Sequence, residues 1–236
     1  MADVSEALRL FQKANELDPD FAAAYGAAAW CHSWRMLSGW MTNRQQETAE
    51  VNRLAGKAAE LGRDDALALS FSGFALGYVT GDFEGGLALI DRALTLNPNL
   101  AAAWSASGSL RAFRGDNDLA IEHLARAMRL SPLDPLMFIM QGFTAFALFQ
   151  AGRYDEAWPL AEKACREQPN FLSAIRIAAA SNVGAGRMEE ARRHVSRALQ
   201  LDPKMRISNL KDRVTPLPPQ ILAKYIEALR KAGLPE

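Results

Sequence analysis

Five segments of the sequence end in proline and share one internal spacing. They read EALRLFQKANELDP, GGLALIDRALTLNP, LAIEHLARAMRLSP, EAWPLAEKACREQP and EARRHVSRALQLDP, closing at Pro19, Pro98, Pro132, Pro169 and Pro203. An alanine stands five residues before each proline (Ala14, Ala93, Ala127, Ala164, Ala198), and a second small residue seven before that (Ala7, Gly86, Ala120, Ala157, Ala191). The last four prolines are 34, 37 and 34 residues apart. A degenerate sixth copy, KAAELGRD, holds Ala58 in register with Arg63 in place of the proline. Residues seven apart lie two turns apart on one helix face, so paired small residues let a neighbouring helix come close. Proline just past the last turn stops the helix, because it has no amide to donate and crowds the preceding turn. Such a period describes stacked supersecondary units, none of which can bury its apolar face alone.

Glycines extend the pattern. Gly81, Gly115, Gly152 and Gly186 each precede the first small residue by five positions and mark a tight turn between two helices. Gly73, Gly108 and Gly142 fall inside the first helix of their units. Glycine costs about 1 kcal/mol in a helix interior, so three at matching places predict close helix packing. The remainder is rich in Ala and Leu with Glu, Arg and Lys between them, and runs of β-branched residues are nearly absent. That composition favours helix throughout. The spacing predicts a lone helix at about 4–17 and helix pairs at 22–61, 66–97, 101–131, 135–168 and 172–202. The second unit has about ten additional residues around 37–46, as a lengthened helix or a loop, and the fifth is three longer, expected in its first helix. A loop with Pro216, Pro218 and Pro219 leads to an amphipathic helix at about 218–232, whose Ile221, Leu222, Tyr225, Ile226 and Leu229 make one apolar stripe. Stacked repeats need an end cap, and this helix suits that role.

The unit resembles the tetratricopeptide repeat, a helix pair of about 34 residues. The fourth unit carries the likeness best, through Trp104, Gly108, Gly115, Ala120, Ala127 and Pro132, and the likeness runs from about residue 5 to 203. It implies an all-α fold: a right-handed superhelix of about five helix pairs, with a preceding half repeat and a C-terminal capping helix, in one solenoid domain over 1–236. The ending IEALRKAGLPE, after a proline-containing loop and a tyrosine, is similar to the C-terminal end of certain bacterial adenylate/guanylate cyclase-type proteins. Those carry a tetratricopeptide region after their N-terminal domain. That similarity, with a first helix that reads as the second half of a unit, leads to the expectation of a C-terminal fragment of a longer signalling chain. No cyclase domain lies within these residues.

Charge and motifs narrow the function. Lys+Arg and Asp+Glu both number 27, and a chain of zero net charge lacks the basic excess of a dedicated nucleic-acid binder. Two cysteines, Cys31 and Cys165, form no metal-ligand spacing and fit a reducing, cytoplasmic setting. No stretch reads as a signal peptide. The uncharged run PLMFIMQGFTAFALFQAG at 135–152 nearly has the length of a membrane span, but Gln141, Gly142 and Thr144 interrupt it and no basic flank marks a side. It reads as a helix buried in the array, so no membrane partner is expected. No phosphate-binding, zinc-protease or nucleophile-elbow motif is present. His32, His123 and His194 are isolated in sequence and read as surface or capping residues. Asp64-Asp65 and Glu189-Glu190 fall at helix starts, where acids favour the dipole, and Arg114-Gly115-Asp116 falls on a predicted turn. The expectation is a non-catalytic chain without cofactor or metal.

Surface recognition remains. In the repeat family, first helices line the concave face and bind partner peptides. By register, the resemblance puts Trp30, Trp34, Phe74, Tyr78, Ser105, Ser109, Phe113, Phe143, Phe146 and Arg176 on that face. Aromatic side chains bury large areas and serve as anchors. The Lys/Asn clamp that holds a C-terminal carboxylate in some members is missing, so an apolar or helical segment is the expected ligand. Trp34, Phe74, Tyr78, Phe113 and Phe143 are expected to share one partly exposed surface. The competing expectation has the same aromatics packing between helices. The partner is a protein or peptide, including a domain of the parent chain, or a second copy in a homodimer.

Overall fold

The computed structural model describes residues 2–236. Its α-helices are α1 (Ala2–Leu17), α2 (Ala22–Leu37), α3 (Arg44–Leu61), α4 (Ala66–Ala75), α5 (Phe83–Leu96), α6 (Ala101–Arg114), α7 (Asn117–Leu130), α8 (Met137–Gln150), α9 (Tyr154–Glu167), α10 (Leu172–Gly184), α11 (Met188–Leu201) and α12 (Pro219–Lys231). A π-helical turn, Leu76–Thr80, continues α4, and a 3₁₀ turn, Ile207–Asp212, precedes α12. No strand occurs among the described residues.

The local chemistry follows the repeat. In all five proline-terminated units the helix ends two residues before the proline, at Leu17, Leu96, Leu130, Glu167 and Leu201. The four turn glycines take positive φ, 104° at Gly115, a conformation open to glycine at no steric cost. Asp65 and Asp82 cap α4 and α5 by accepting hydrogen bonds from first-turn amides.

Packing converts the small-residue pattern into a core. Ala58, Ala93, Ala120, Ala127, Ala157, Ala164, Ala191 and Ala198 are all buried where helices cross. Ala7 and Ala14 stay half-buried, because α1 has a neighbour on one side only, α2. A Cβ on Gly73 would stand 2.5 Å from the Gly86 carbonyl oxygen, and one on Gly108 would stand 2.7 Å from Leu124 Cγ. Close approach explains both glycines. It does not explain Gly142, whose Cβ would meet nothing nearer than 3.8 Å. The fourth unit's signature tryptophan acts on the preceding turn: Trp104 donates from Nε1 to the Pro98 carbonyl at 2.9 Å.

Two length expectations are resolved. The additional residues of the second unit are shared between longer helices (α2 has 16 residues and α3 has 18, against 14 each for α6 and α7) and the connection 38–43. The fifth unit is longer in its connections, not its first helix as the spacing predicted: α8 has 14 residues like α6, but 131–136 and 151–153 are longer than 97–100 and 115–116. Helix α8 lies at the centre of the stack, buried from Phe138 through Phe149, so its apolar run is core. No helix among the described residues is long and apolar enough to cross a membrane.

Candidate functional site

The first helices α2, α4 with its π-helical turn, α6 and α8 bring aromatics to the inside of the curve, and these side chains meet one another and Phe171, just before α10. Phe74 stacks on Tyr78 with centroids 5.3 Å apart, and Tyr78 contacts Phe113 at 5.2 Å. Phe113 meets Phe143 edge-on at 4.8 Å and Phe146 at 5.7 Å. Trp34 of α2 stacks on Phe171, just before α10, at 6.2 Å, and meets Phe138 of α8 edge-on at 6.3 Å. The curve is thus tight enough for the first complete pair to touch the fourth and fifth.

The expectation of partial exposure fails for most of this row. Phe74, Tyr78, Phe113, Phe143 and Phe146 are buried, Phe143 completely, while Trp30, Trp34 and Ser105 remain half-buried. Part of the reason is the chain's own C-terminal segment, which lies in the groove. Val214, Thr215, Leu217 and Tyr225 close a small space against Tyr78, Phe113, Phe146, Ile177 and Arg176. Thr215 donates from Oγ1 to the Tyr78 carbonyl at 2.7 Å, at the end of the π-helical turn where carbonyls lack helical partners. Tyr225 packs edge-on against Phe146 at 5.3 Å. Lys224 Nζ donates to the Phe149 and Gln150 carbonyls at 3.0 and 2.9 Å, closing the C-terminal end of α8. Helix α12 therefore packs on α10 of the last pair, as a cap does, and also reaches back over α8. The apolar stripe of α12 was legible in the sequence; its destination was not.

One stretch of the inner face stays open. An apolar cavity of about 210 Å³ lies among α2, α4, α6 and α8, with Trp30, Phe71, Phe74, Ser105, Ser109 and Met140 around it. Trp30, Phe74, Ser105 and Ser109 belong to the residues that the sequence picks out. Phe71 and Met140 do not; they are one helical turn from Phe74 and Phe143, and only the register of α4 and α8 brings them here. Arg176 stands apart, buried at the foot of α10 with Nε and Nη1 enclosed and without a hydrogen-bond partner.

Of the histidines, His32 is buried and His123 and His194 are half-buried, and each is held by a side chain of a neighbouring helix. His32 of α2 is buried and hydrogen-bonded to Glu47 of α3 at 3.1 Å, and Arg35 donates to the same carboxylate at 2.8 and 3.0 Å. Burial pushes the Glu47 carboxyl up, but the His32 and Arg35 hydrogen bonds together outweigh it and its pKa lies below the ordinary value. His194 of α11 meets Glu162 of α9 at 2.8 Å, and His123 of α7 meets Ser107 of α6 at 3.0 Å. Each pair joins two helices, and no group of His, Cys, Asp and Glu among the described residues could hold a metal ion. Burial raises the thiol pKa of Cys31 to about 11 and of Cys165 to about 12, so neither is an activated nucleophile.

No protein-family model matches the sequence, and no curated protein does. Solved structures match along most of the chain. The Cut9–Hcn1 hetero-tetramer of the APC/C superposes on 98% of it with a TM-score of 0.69 and 17% identity. PilW, a type IV pilus biogenesis factor, covers 80% of it at TM-score 0.60 and 16% identity, and MamA from Desulfovibrio magneticus RS-1 covers 77% at 0.53 and 19%. All are built of tetratricopeptide repeats. This chain has the tetratricopeptide-repeat fold. It spans 39% of the matched chain of the Cut9–Hcn1 complex, against 87% of PilW and 97% of MamA. At these identities the likeness is one of fold, a right-handed solenoid of helix pairs closed by a C-terminal helix.

Proposed function

We propose that this solenoid is a non-catalytic protein-interaction module whose docking site is the open stretch of its inner face. The carrying observation is the apolar cavity beside Trp30, Phe74, Ser105 and Ser109. A cavity of that size takes one or two large apolar side chains from an amphipathic helix or extended segment, with Trp30 as the aromatic anchor. Tyr78, Phe113, Phe146 and Arg176, which lie against the C-terminal segment, and the fully buried Phe143 then support the site from behind. The test is a display selection of amphipathic peptides against the whole chain. Enriched peptides should carry spaced apolar anchors, and Ser105→Phe, which fills the cavity from a half-buried position, should weaken their binding about tenfold or more while the melting curve stays unchanged. Equal binding by Ser105→Phe would move the docking site elsewhere.

The larger setting we infer is the cytoplasmic regulatory C-terminal region of a bacterial cyclase-type signalling protein, with the docked segment supplied by the parent chain or by a separate protein. The similarity of the ending IEALRKAGLPE supports it. A second reading, homodimerisation, rests on a different observation: Leu10, Leu17 and Phe21 are exposed together near the first helix, Leu17 at 76%. The mass in solution separates the two readings. A monomer at high concentration excludes the dimer, and a dimer dissociated by Leu17→Glu supports it.

A further inference from the structure

After Pro203 the chain leaves the repeat. Where a further first helix would begin, Ile207–Asp212 make a 3₁₀ turn, and 213–218 form neither helix nor strand before α12 starts. This stretch, RVTPLP, lies in the inner groove. Val214 and Thr215 are buried, and Pro216 and Leu217 are half-buried. Val214 and Leu217 share a small space with Tyr78, Phe113 and Phe146. Thr215 Oγ1 donates to the Tyr78 carbonyl at 2.7 Å. Pro216 sits against Gly81, where an added Cβ would stand 2.9 Å from the Pro216 Cβ. Gly81 therefore serves twice: it turns the chain at φ 86°, and its missing side chain seats a proline.

The segment is held as a ligand is held. Among the described residues, every backbone–backbone hydrogen bond of 206–236 is made within that segment, including Ile207 N to the Pro235 carbonyl. Pro216 and Pro218 have no amide to offer. The polar ties to the solenoid run through side chains: Thr215 to Tyr78, Lys224 to the end of α8, Arg44 to the Lys211 carbonyl, Arg213 to Asp202, and Tyr225 with Arg176. A cavity of about 290 Å³ also separates the 3₁₀ turn from α2 and α10. A segment with its own closed backbone network lifts without breaking a backbone hydrogen bond of the solenoid. Units of that kind open at a lower free energy than global unfolding.

We propose that 214–217 is a built-in ligand of the inner groove, and that a partner protein replaces it with an extended segment of the same chemistry. Three features define that chemistry in order: a hydroxyl for the Tyr78 carbonyl, a proline for the bare Gly81, and a large apolar residue beside the aromatics. The proline also pre-sets the extended shape, which lowers the cost of ordering a partner segment. The two segments compete, so the chain's own contacts set how strong a partner must be. The groove adjoins the open cavity where Phe74 stacks on Tyr78, but neither site needs the other.

The test uses the full chain and a fluorescently labelled peptide, DRVTPLPP, which repeats residues 212–219. In the unaltered chain, hydrogen exchange should show the α12 amides opening together, at least about tenfold less protected than those of α8. Excess peptide should speed exchange in α12 and leave α8 alone. At ten times its dissociation constant for the open groove, the opened population rises about elevenfold. Val214→Asp puts a charge among the aromatics, loosens the segment, and should bind the peptide at least about tenfold more tightly than the unaltered chain. A peptide carrying Leu217→Asp should bind neither chain, and Ser105→Phe should leave peptide binding as it is. Should Val214→Asp not fold, the exchange experiment on the unaltered chain decides alone. Protection of α12 equal to that of α8, exchange indifferent to the peptide, full binding by the Leu217→Asp peptide, or loss of binding in Ser105→Phe would each overturn the proposal.

Discussion

At the scale of single residues, the aromatics of the first helices stabilise the fold from inside the curve. Phe113 touches Tyr78, Phe143 and Phe146 and is 5% exposed. Phe113→Ala should therefore cost about 3–5 kcal/mol in chemical denaturation, the range for emptying a buried aromatic site. A loss below 1 kcal/mol would return Phe113 to the surface. The interior glycines make a sharper test: the 34-residue spacing equates Gly108 with Gly142, but Gly108 is the eighth residue of α6 and Gly142 the sixth of α8, so the two should respond with opposite sign. Gly108→Ala drives a methyl into Leu124, whose backbone nitrogen lies 2.9 Å from the added Cβ, and should destabilise. Gly142→Ala meets nothing nearer than 3.8 Å and gains helix propensity, so it should stabilise by up to about 1 kcal/mol. Paired melting curves check both, and a common sign would mean that the two helices cross alike.

At the scale of elements, charged pairs join helices that the small residues bring together. Glu162 of α9 accepts from Asn182 of α10 at 3.0 Å and meets His194 of α11. The His194 hydrogen bond holds its pKa below the ordinary 4.5, against the opposing effect of burial. A carboxyl depressed in the folded state stabilises above its unfolded pKa, and that contribution fades as pH falls through the folded value. Wild type should therefore lose stability on acidification from pH 5 to pH 3 more steeply than Glu162→Gln. Parallel pH profiles of the melting midpoint would show that this pair has no net coupling to the fold.

At the scale of the whole molecule, the C-terminal segment decides what the solenoid presents. Residues 204–236 bury Met205, Leu210, Val214, Thr215, Tyr225 and Leu229, and Ile207 N donates to the Pro235 carbonyl at 2.8 Å to close the segment on itself. Removing 204–236 should uncover Tyr78, Phe113 and Phe146, lower the melting midpoint and raise the binding of an apolar dye. A truncated chain that melts like the whole one and binds no dye would mean that the segment is dispensable. The displaced surface would also be the aromatic groove that the repeat register leads one to expect.

The sequence by itself determined the helices, their pairing and their close contacts. Small residues seven apart, a proline two residues past five of the helices and a left-handed glycine at the turn within each pair act within a few residues of themselves, so Ala127, Pro132 and Gly115 could be read without knowing the neighbours. Even there, lengths were ambiguous where the period changed: nothing local to 131–153 says whether three residues lengthen α8 or its connections. The tertiary structure alone decided exposure. Tyr78 and Phe113 carry the same pattern whether a groove is empty or filled, and the segment that covers them is 100 or more residues away along the chain. The same holds for Arg176, Arg44 and Arg213, which share one cavity only because the superhelix curves enough for α10 to meet α2. A repeat pattern encodes contacts between neighbours; how tightly the stack curves, and what its own tail then covers, is a sum over all of them.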